Sequence, residues 1–397
     1  MKAEETPILI AGAGPTGLAL AIVLQQAGIP HLLIERATER CALSRAAVIH
    51  AHTLEALDQL GVTEDLEKHG LALDRFTFRD RGRELTRIEF GKLPSRFARL
   101  LMIPQNITED ILERRLVELG GKIWRGAELV GVNPDASGVT ALISSAEKHV
   151  TVRAQYAIGA DGMHSLVRKA SGIKFDGAQL AETFALADIV ADWPEQRREV
   201  SLFLAEQGML VVAPLPDGKF RLVAAVDQAD DLPGLDFMQS ILNDRGPATR
   251  PVRIERMEWS SRFHIHHRLA EHYRAGRLLL MGDAAHVHSP AGGQGMNTGL
   301  VDAFTLGQML VRVIGNGAPD AILDNYEAYR RPAAAKVLAL AGRLTKAATL
   351  RSPVLRAVRN AALLSIGHTH HARTMLAMNL SGIARRRFAP DLHALPL

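Results

Sequence analysis

The sequence predicts an α/β fold: a parallel sheet flanked by helices, interrupted by a mostly antiparallel sheet and closed by a run of helices. Three observations predict it. The apolar run Pro7-Ile8-Leu9-Ile10-Ala11 opens directly into Gly12-Ala13-Gly14-Pro15-Thr16-Gly17, the strand, glycine turn and helix of a parallel βαβ unit. Later, Tyr156 to Gly159 and Leu278 to Met281 are again short apolar runs. They lead into Gly159-Ala160-Asp161-Gly162 and Gly282-Asp283-Ala284-Ala285-His286. Between them, from about 176 to 275, alternating segments are separated by turns such as Pro216-Asp217-Gly218, the pattern of an antiparallel sheet.

The elements follow in order. Pro15 to Gly28 reads as a helix stopped by Gly28, and His31 to Glu35 as the second strand. Short helices are expected at 53–60, closed by Gly61, and at 107–119, closed by Gly120-Gly121. A small strand excursion is expected near 74–100 and a hairpin layer around 122–153. Glu199 to Leu204 and Phe220 to Val226 read as strands of the inserted sheet, without long helices between them. After Asn297 the chain reads as helical to about 380. The expected domains are therefore 1–175, a substrate sheet over 176–275, the return of the first domain over 276–310, and C-terminal helices over 311–397.

Of 397 residues, 47% are apolar and 23% charged, an ordinary globular composition with room for a large core. Cys41 is the only cysteine, so no internal disulfide or cysteine-cluster metal site forms, and a reducing, cytoplasmic compartment is expected. No apolar run is long enough to span a membrane, and the N-terminal run holds Gly12, Gly14 and Pro15, unlike a secretory signal. The formal charge is +4. From Arg331 onward, Lys and Arg face the single acid Asp391. A solvated face explains such a tail, with weak membrane-surface contact as the alternative. Nucleic acid is not expected, because no aromatic residues interleave the charges.

The glycines of the first segment carry separate duties. Gly12 makes the tight turn, Gly14 lets backbone approach a pyrophosphate, and Gly17 lets helix pack on strand. With Pro15 and Thr16 they present a helix N-terminus to phosphate. Glu35 ends the next strand 18 positions after Gly17, where an acid accepts hydrogen bonds from ribose hydroxyls. Gly292-Gly293-Gln294-Gly295-Met296-Asn297 is a glycine run directly before a helix, the usual way of presenting bare N–H groups.

Together, the three segments resemble the FAD-dependent aromatic hydroxylases related to p-hydroxybenzoate hydroxylase and to the phenol and polyketide hydroxylases. The resemblance covers residues 7 to about 310 in segments and is weak within 176–270. It implies a Rossmann-like FAD-binding domain of the glutathione reductase type. It implies non-covalent FAD, with NADPH or NADH as transient co-substrate, and hydroxylation of a phenolic or heteroaromatic ring through a flavin C4a-hydroperoxide. Asp283 then binds the ribityl chain or ribose. Gly293, Gly295, Met296 and Asn297, with Pro290, face the flavin ring. Asp161 lies near both the pyrophosphate and the approach of the nicotinamide nucleotide, its turn supported through charge pairing by Arg168. Arg45 and Gln105 match residues that contact FAD, and Arg36 and Val130 join the cofactor set. Pro290 and His50 are the candidate catalytic positions, with His264, His266, His267, His286 and His288 as further candidates for a proton relay.

A homodimer is compatible with these expectations. The partners are a small aromatic substrate, O2 and NAD(P)H, with no metal. A disulfide reductase is excluded by the single cysteine, and a flavin halogenase is disfavoured because Trp124, Trp193 and Trp259 are isolated. Two alternatives stay open: epoxidation or hydroxylation of a lipophilic isoprenoid or polyketide at a membrane surface, and a non-catalytic FAD-binding protein.

Overall fold

The computed structural model describes residues 4–40, 44, 46–146, 148–247 and 251–390. Its first sheet is built on Glu4–Ala11, which pairs in parallel with His31–Glu35 on one side and His149–Gly159 on the other. Leu278–Leu280 and Ile123–Arg125 extend it in parallel at the two ends. Ile8, Leu9, Ile10 and Leu278 to Leu280 are wholly buried, as continuous apolar strands covered on both faces must be. The helix Pro15–Gln26 begins on its proline, whose fixed φ suits a first turn and whose missing N–H would have had no partner there. It packs on the long helix Gly295–Leu310. There a Cβ added to Gly307 would come within 2.6 Å of Val23 Cγ1, so only glycine allows this approach. The hairpin of Ala127–Pro134 and Val139–Ser145 hangs antiparallel on His149–Gly159.

The second sheet has eight strands. Phe175–Ala191 and Ile254–Ala270 form its long antiparallel pair, and Lys219–Val226, Gly208–Pro214 and Val200–Ala205 continue it. Its far edge comes from much earlier in the chain. The hairpin Arg75–Asp80 and Arg83–Glu89 joins it in parallel beside Val200–Ala205, so the excursion near 74–100 belongs to the inserted sheet. The near edge is His286–Val287, which ties this sheet to the third glycine segment.

One element was not anticipated here. Leu235–Arg245 is a helix inside the stretch read as a mostly antiparallel sheet. Its buried Met238, Ile241 and Leu242 repeat at helical spacing and close a second core with Trp193, Phe203 and Phe220. The C-terminal region is helical as expected, over Asp324–Ala348, Pro353–His368 and His370–Leu380. Beyond it the turn Ile383–Phe388 folds back on the helix Ala51–Gln59, where Arg386 pairs with Glu55. Among the described residues no helix is long and apolar enough to cross a membrane.

Candidate active site

The first glycine turn is shaped by close approach. Gly12 has φ +101°, and a Cβ on it would lie 2.4 Å from the Ala160 carbonyl, so any other residue is excluded sterically and conformationally. A Cβ on Gly17 would overlap the Gly12 carbonyl at 1.9 Å, whereas one on Gly14 would meet nothing within 4 Å. Gly14 therefore faces open space at the head of the helix Pro15–Gln26. Glu35 accepts from Ala13 N at 2.8 Å and Ala37 N at 3.0 Å, so its carboxylate fixes this turn from behind.

The second turn is held by Asp161 and Arg168. Asp161 Oδ2 accepts from Leu166 N at 2.7 Å, capping a short helix, while its buried Oδ1 has no partner. Arg168 donates to the Ala284 and Met163 carbonyls, both at 2.7 Å, and lies over the Phe175 ring. It supports the turn through these carbonyls, and against the desolvation that lowers its pKa the Asp161 charge acts on it as well.

The third segment is organised by Asp302 on the helix Gly295–Leu310. Its Oδ2 takes Gly282 N at 3.2 Å and His286 Nε2 at 2.6 Å, and its Oδ1 takes Arg330 Nε at 2.7 Å. Burial opposes this charge, but Arg330 and His286 outweigh it and hold the carboxyl below its usual range. Asn297 binds the glycine loop to the chain near residue 50. Its Nδ2 donates to the Val48 and Gly293 carbonyls, and its Oδ1 accepts from His50 N. Gly293 has φ +62° and presses on Val48, where a Cβ would lie 2.2 Å from Cγ1.

His50 is buried beneath this loop. Its Nε2 lies 2.8 Å from the Gly292 carbonyl, which assigns the proton to Nε2 and leaves a lone pair on Nδ1 with no partner. Desolvation above all pushes its pKa down to about 4. At neutral pH the ring is therefore uncharged, and Nδ1 can accept a hydrogen bond.

These segments surround one cavity of about 490 Å³. One side is polar and glycine-rich, with Gly14, Thr16, Gly162, Asp283 and Gly292 to Gly295. The other is apolar and comes from the second sheet, with Phe76, Phe78, Phe184, Leu202, Met209 and Val223. Arg221 also reaches this wall, but it is bidentate to Asp188 at 2.7 Å, and Trp259 donates to the same carboxylate at 2.8 Å.

Residues 5–341 match the family model for an FAD binding domain. The chain belongs to this family of flavoproteins. It is 36% identical to 6-methylpretetramide 4-monooxygenase of Streptomyces rimosus, over 89% of this chain and 64% of that protein. It is 36% identical to a rifampicin monooxygenase of Streptomyces venezuelae, over 83% of this chain and 69% of that protein. The chain thus spans about two thirds of the length of these curated relatives. Among solved structures, an anhydrotetracycline hydroxylase of Streptomyces rimosus superposes with TM-score 0.81 at 33% identity, over 95% of this chain and 76% of that one. The p-nitrophenol 4-monooxygenase of Pseudomonas putida gives TM-score 0.86 at 23% identity, over 95% of this chain and 99% of that one, a likeness of fold.

The resemblance to flavoprotein aromatic hydroxylases therefore holds, and the residues present fit FAD. The open space at Gly14, the unpartnered Asp161 Oδ1 and the bare glycine loop suit a dinucleotide running from polar turn to apolar wall. Pro15, Thr16, Gln105, Asp283, Pro290, Gly293, Gly295 and Met296 all line the cavity. Arg36 is exposed and lies outside the lining. Val130 stays apart as well, 42% exposed on the outer hairpin, because alternation along that strand turns it to solvent. Arg45 lies outside the described residues. The sequence reading missed Asp302 and Arg330, whose signal is a contact between distant segments, and Phe76 and Phe78, which arrive from the early hairpin.

Proposed function

We propose that this chain is an NAD(P)H- and O2-dependent FAD monooxygenase that hydroxylates a phenolic or heteroaromatic ring. The observation that carries the reading is one continuous cavity joining a dinucleotide cradle to an apolar aromatic-lined wall. Bound FAD supplies the activation of O2 and the delivery of one oxygen atom, which side chains alone cannot provide. Gly14 would admit the phosphates at a turn whose close packing Gly12 and Gly17 allow, Glu35 fixes that turn and would reach the ribose, and Asp283 would take hydroxyls of the ribityl chain. The Gly293 N–H is taken by the Pro290 carbonyl at 2.8 Å, but the head of the helix Gly295–Leu310 beside it presents N–H groups where the helix dipole favours negative charge. Phe76, Phe78 and Phe184 exclude water from the ring-binding end, which protects a reactive oxygen species from hydrolysis. His50 Nδ1 offers an acceptor for a hydrogen bond. NAD(P)H phosphates suit the Arg268 guanidinium beside the Asp161 turn, which lies close enough to His266 to lower its pKa after desolvation.

The named substrates of the relatives favour a polycyclic phenol within this class. A second reading, oxidation of a lipophilic polyketide or isoprenoid at a membrane surface, draws on exposed Val354 and Val358, at 71% and 61%, on a helix near Arg351. Lipid vesicles should stimulate turnover under that reading and leave it unchanged under the first. Acid precipitation checks the non-covalent link: all yellow colour should pass to the supernatant, and colour in the pellet contradicts it.

A further inference from the structure

Behind the glycine loop lies a charge that the mechanism above does not use. Arg385, in the turn Ile383–Phe388, is 8% exposed and donates to Gln294 Oε1 at 2.6 Å and the Asn379 carbonyl at 2.8 Å. Gln294 in turn donates to the Leu380 and Gly292 carbonyls, so the guanidinium is wired directly to the loop that lines the cavity. No carboxylate among the described residues pairs with it. The other ionic groups here cancel: Asp302 is paired with Arg330, and Glu55 with Arg386. Desolvation first, and then in part Arg385 itself, lower the pKa of His50, His52 and His288. One positive charge is left over, in a dry place, and its field already reaches three rings around the loop.

An isolated buried cation is costly, and a fold rids itself of one unless something nearby profits from it. We infer that Arg385 is the counter-charge for the flavin, a positioning residue that raises the cofactor's reduction potential through the Gln294 loop. The inference rests on the FAD reading of the cavity. A hydride from NAD(P)H brings two electrons and one proton, leaves NAD(P)+ and gives the flavin ring a negative charge. A fixed cation in low-dielectric surroundings stabilises that product more than the neutral oxidised ring, with no reorganisation cost.

The test is the midpoint potential of the FAD-loaded protein, titrated against a reference dye. Arg385→Gln keeps a hydrogen-bonding side chain and removes the charge. It should retain FAD while lowering the equilibrium constant for two-electron reduction about tenfold, or about 30 mV. Arg385→Lys should restore most of the potential. It also covers the case in which the glutamine variant does not fold. A buried lysine loses its proton within reach of experiment whereas arginine does not. Its potential should therefore fall below that of the parent protein between pH 7 and 10. FAD-loaded Arg385→Gln with the parent potential, or a lysine variant that tracks the parent across that pH range, overturns the inference alone. A parent protein that takes up no FAD overturns the inference together with the site reading.

Discussion

At the scale of single residues, the site divides into groups that meet a ligand and groups that hold those groups in place. Asp283 is exposed to the cavity, and its removal should cost FAD affinity on the order of 2–4 kcal/mol, the worth of a charged acceptor lost from cofactor hydroxyls. Asp283→Ala should purify largely colourless; full FAD content would contradict the role. Glu35→Ala should cost less, because its carboxylate acts mainly on the Ala13 and Ala37 amides. His50 gives a pH prediction. Its folded pKa of about 4 lies below the ordinary 6.5, so between these values the unfolded chain binds a proton that the folded chain refuses. Stability therefore rises with pH across that window and is lost as pH falls from 6.5 towards 4, by at most about 3 kcal/mol. Thermal melts at pH 7 and pH 5 should show a smaller loss for His50→Gln than for the parent. Equal losses would show that another group carries the acid sensitivity.

At the scale of elements, the glycine loop before the helix Gly295–Leu310 is the part most finely constrained. Gly293 combines a positive φ with a Cβ position 2.2 Å from Val48, and Asn297 binds the same loop to Val48 and His50. A β-branched residue there must push the loop away from residue 48 while leaving the distant phosphate turn at Gly12 intact. Gly293→Val should keep most of its FAD yet slow flavin reduction by NAD(P)H at least about tenfold, near 1.4 kcal/mol of barrier. Stopped-flow absorbance reads the rate and the visible spectrum reads the content; loss of both in proportion would place the defect in binding instead.

At the scale of the whole molecule, two sheets made by interleaved stretches of chain meet across one cavity. What was legible in the sequence is what local spacing controls. The turns at Gly12, Asp161 and Gly282, the strand His31–Glu35 and the helix after Gly293 each carry their cause within a few residues. The helix Leu235–Arg245 was missed although Met238, Ile241 and Leu242 repeat at helical spacing, because it is short and lies among strands. Arg385, Asp302 and Phe76 act through partners far along the chain, and no local pattern announces such contacts. Cofactor cradle and apolar wall together make the central claim, oxygen transfer from O2 to an aromatic ring. It is tested most directly by incubating the FAD-loaded protein with NAD(P)H and heavy-isotope O2 across phenols, hydroxypyridines and polycyclic phenols. The account predicts that NAD(P)H oxidation accelerates with one class of ring and that the hydroxylated product carries one heavy oxygen from the gas and none from labelled water. NAD(P)H oxidation at one rate with every ring, with no label in any product, would contradict it.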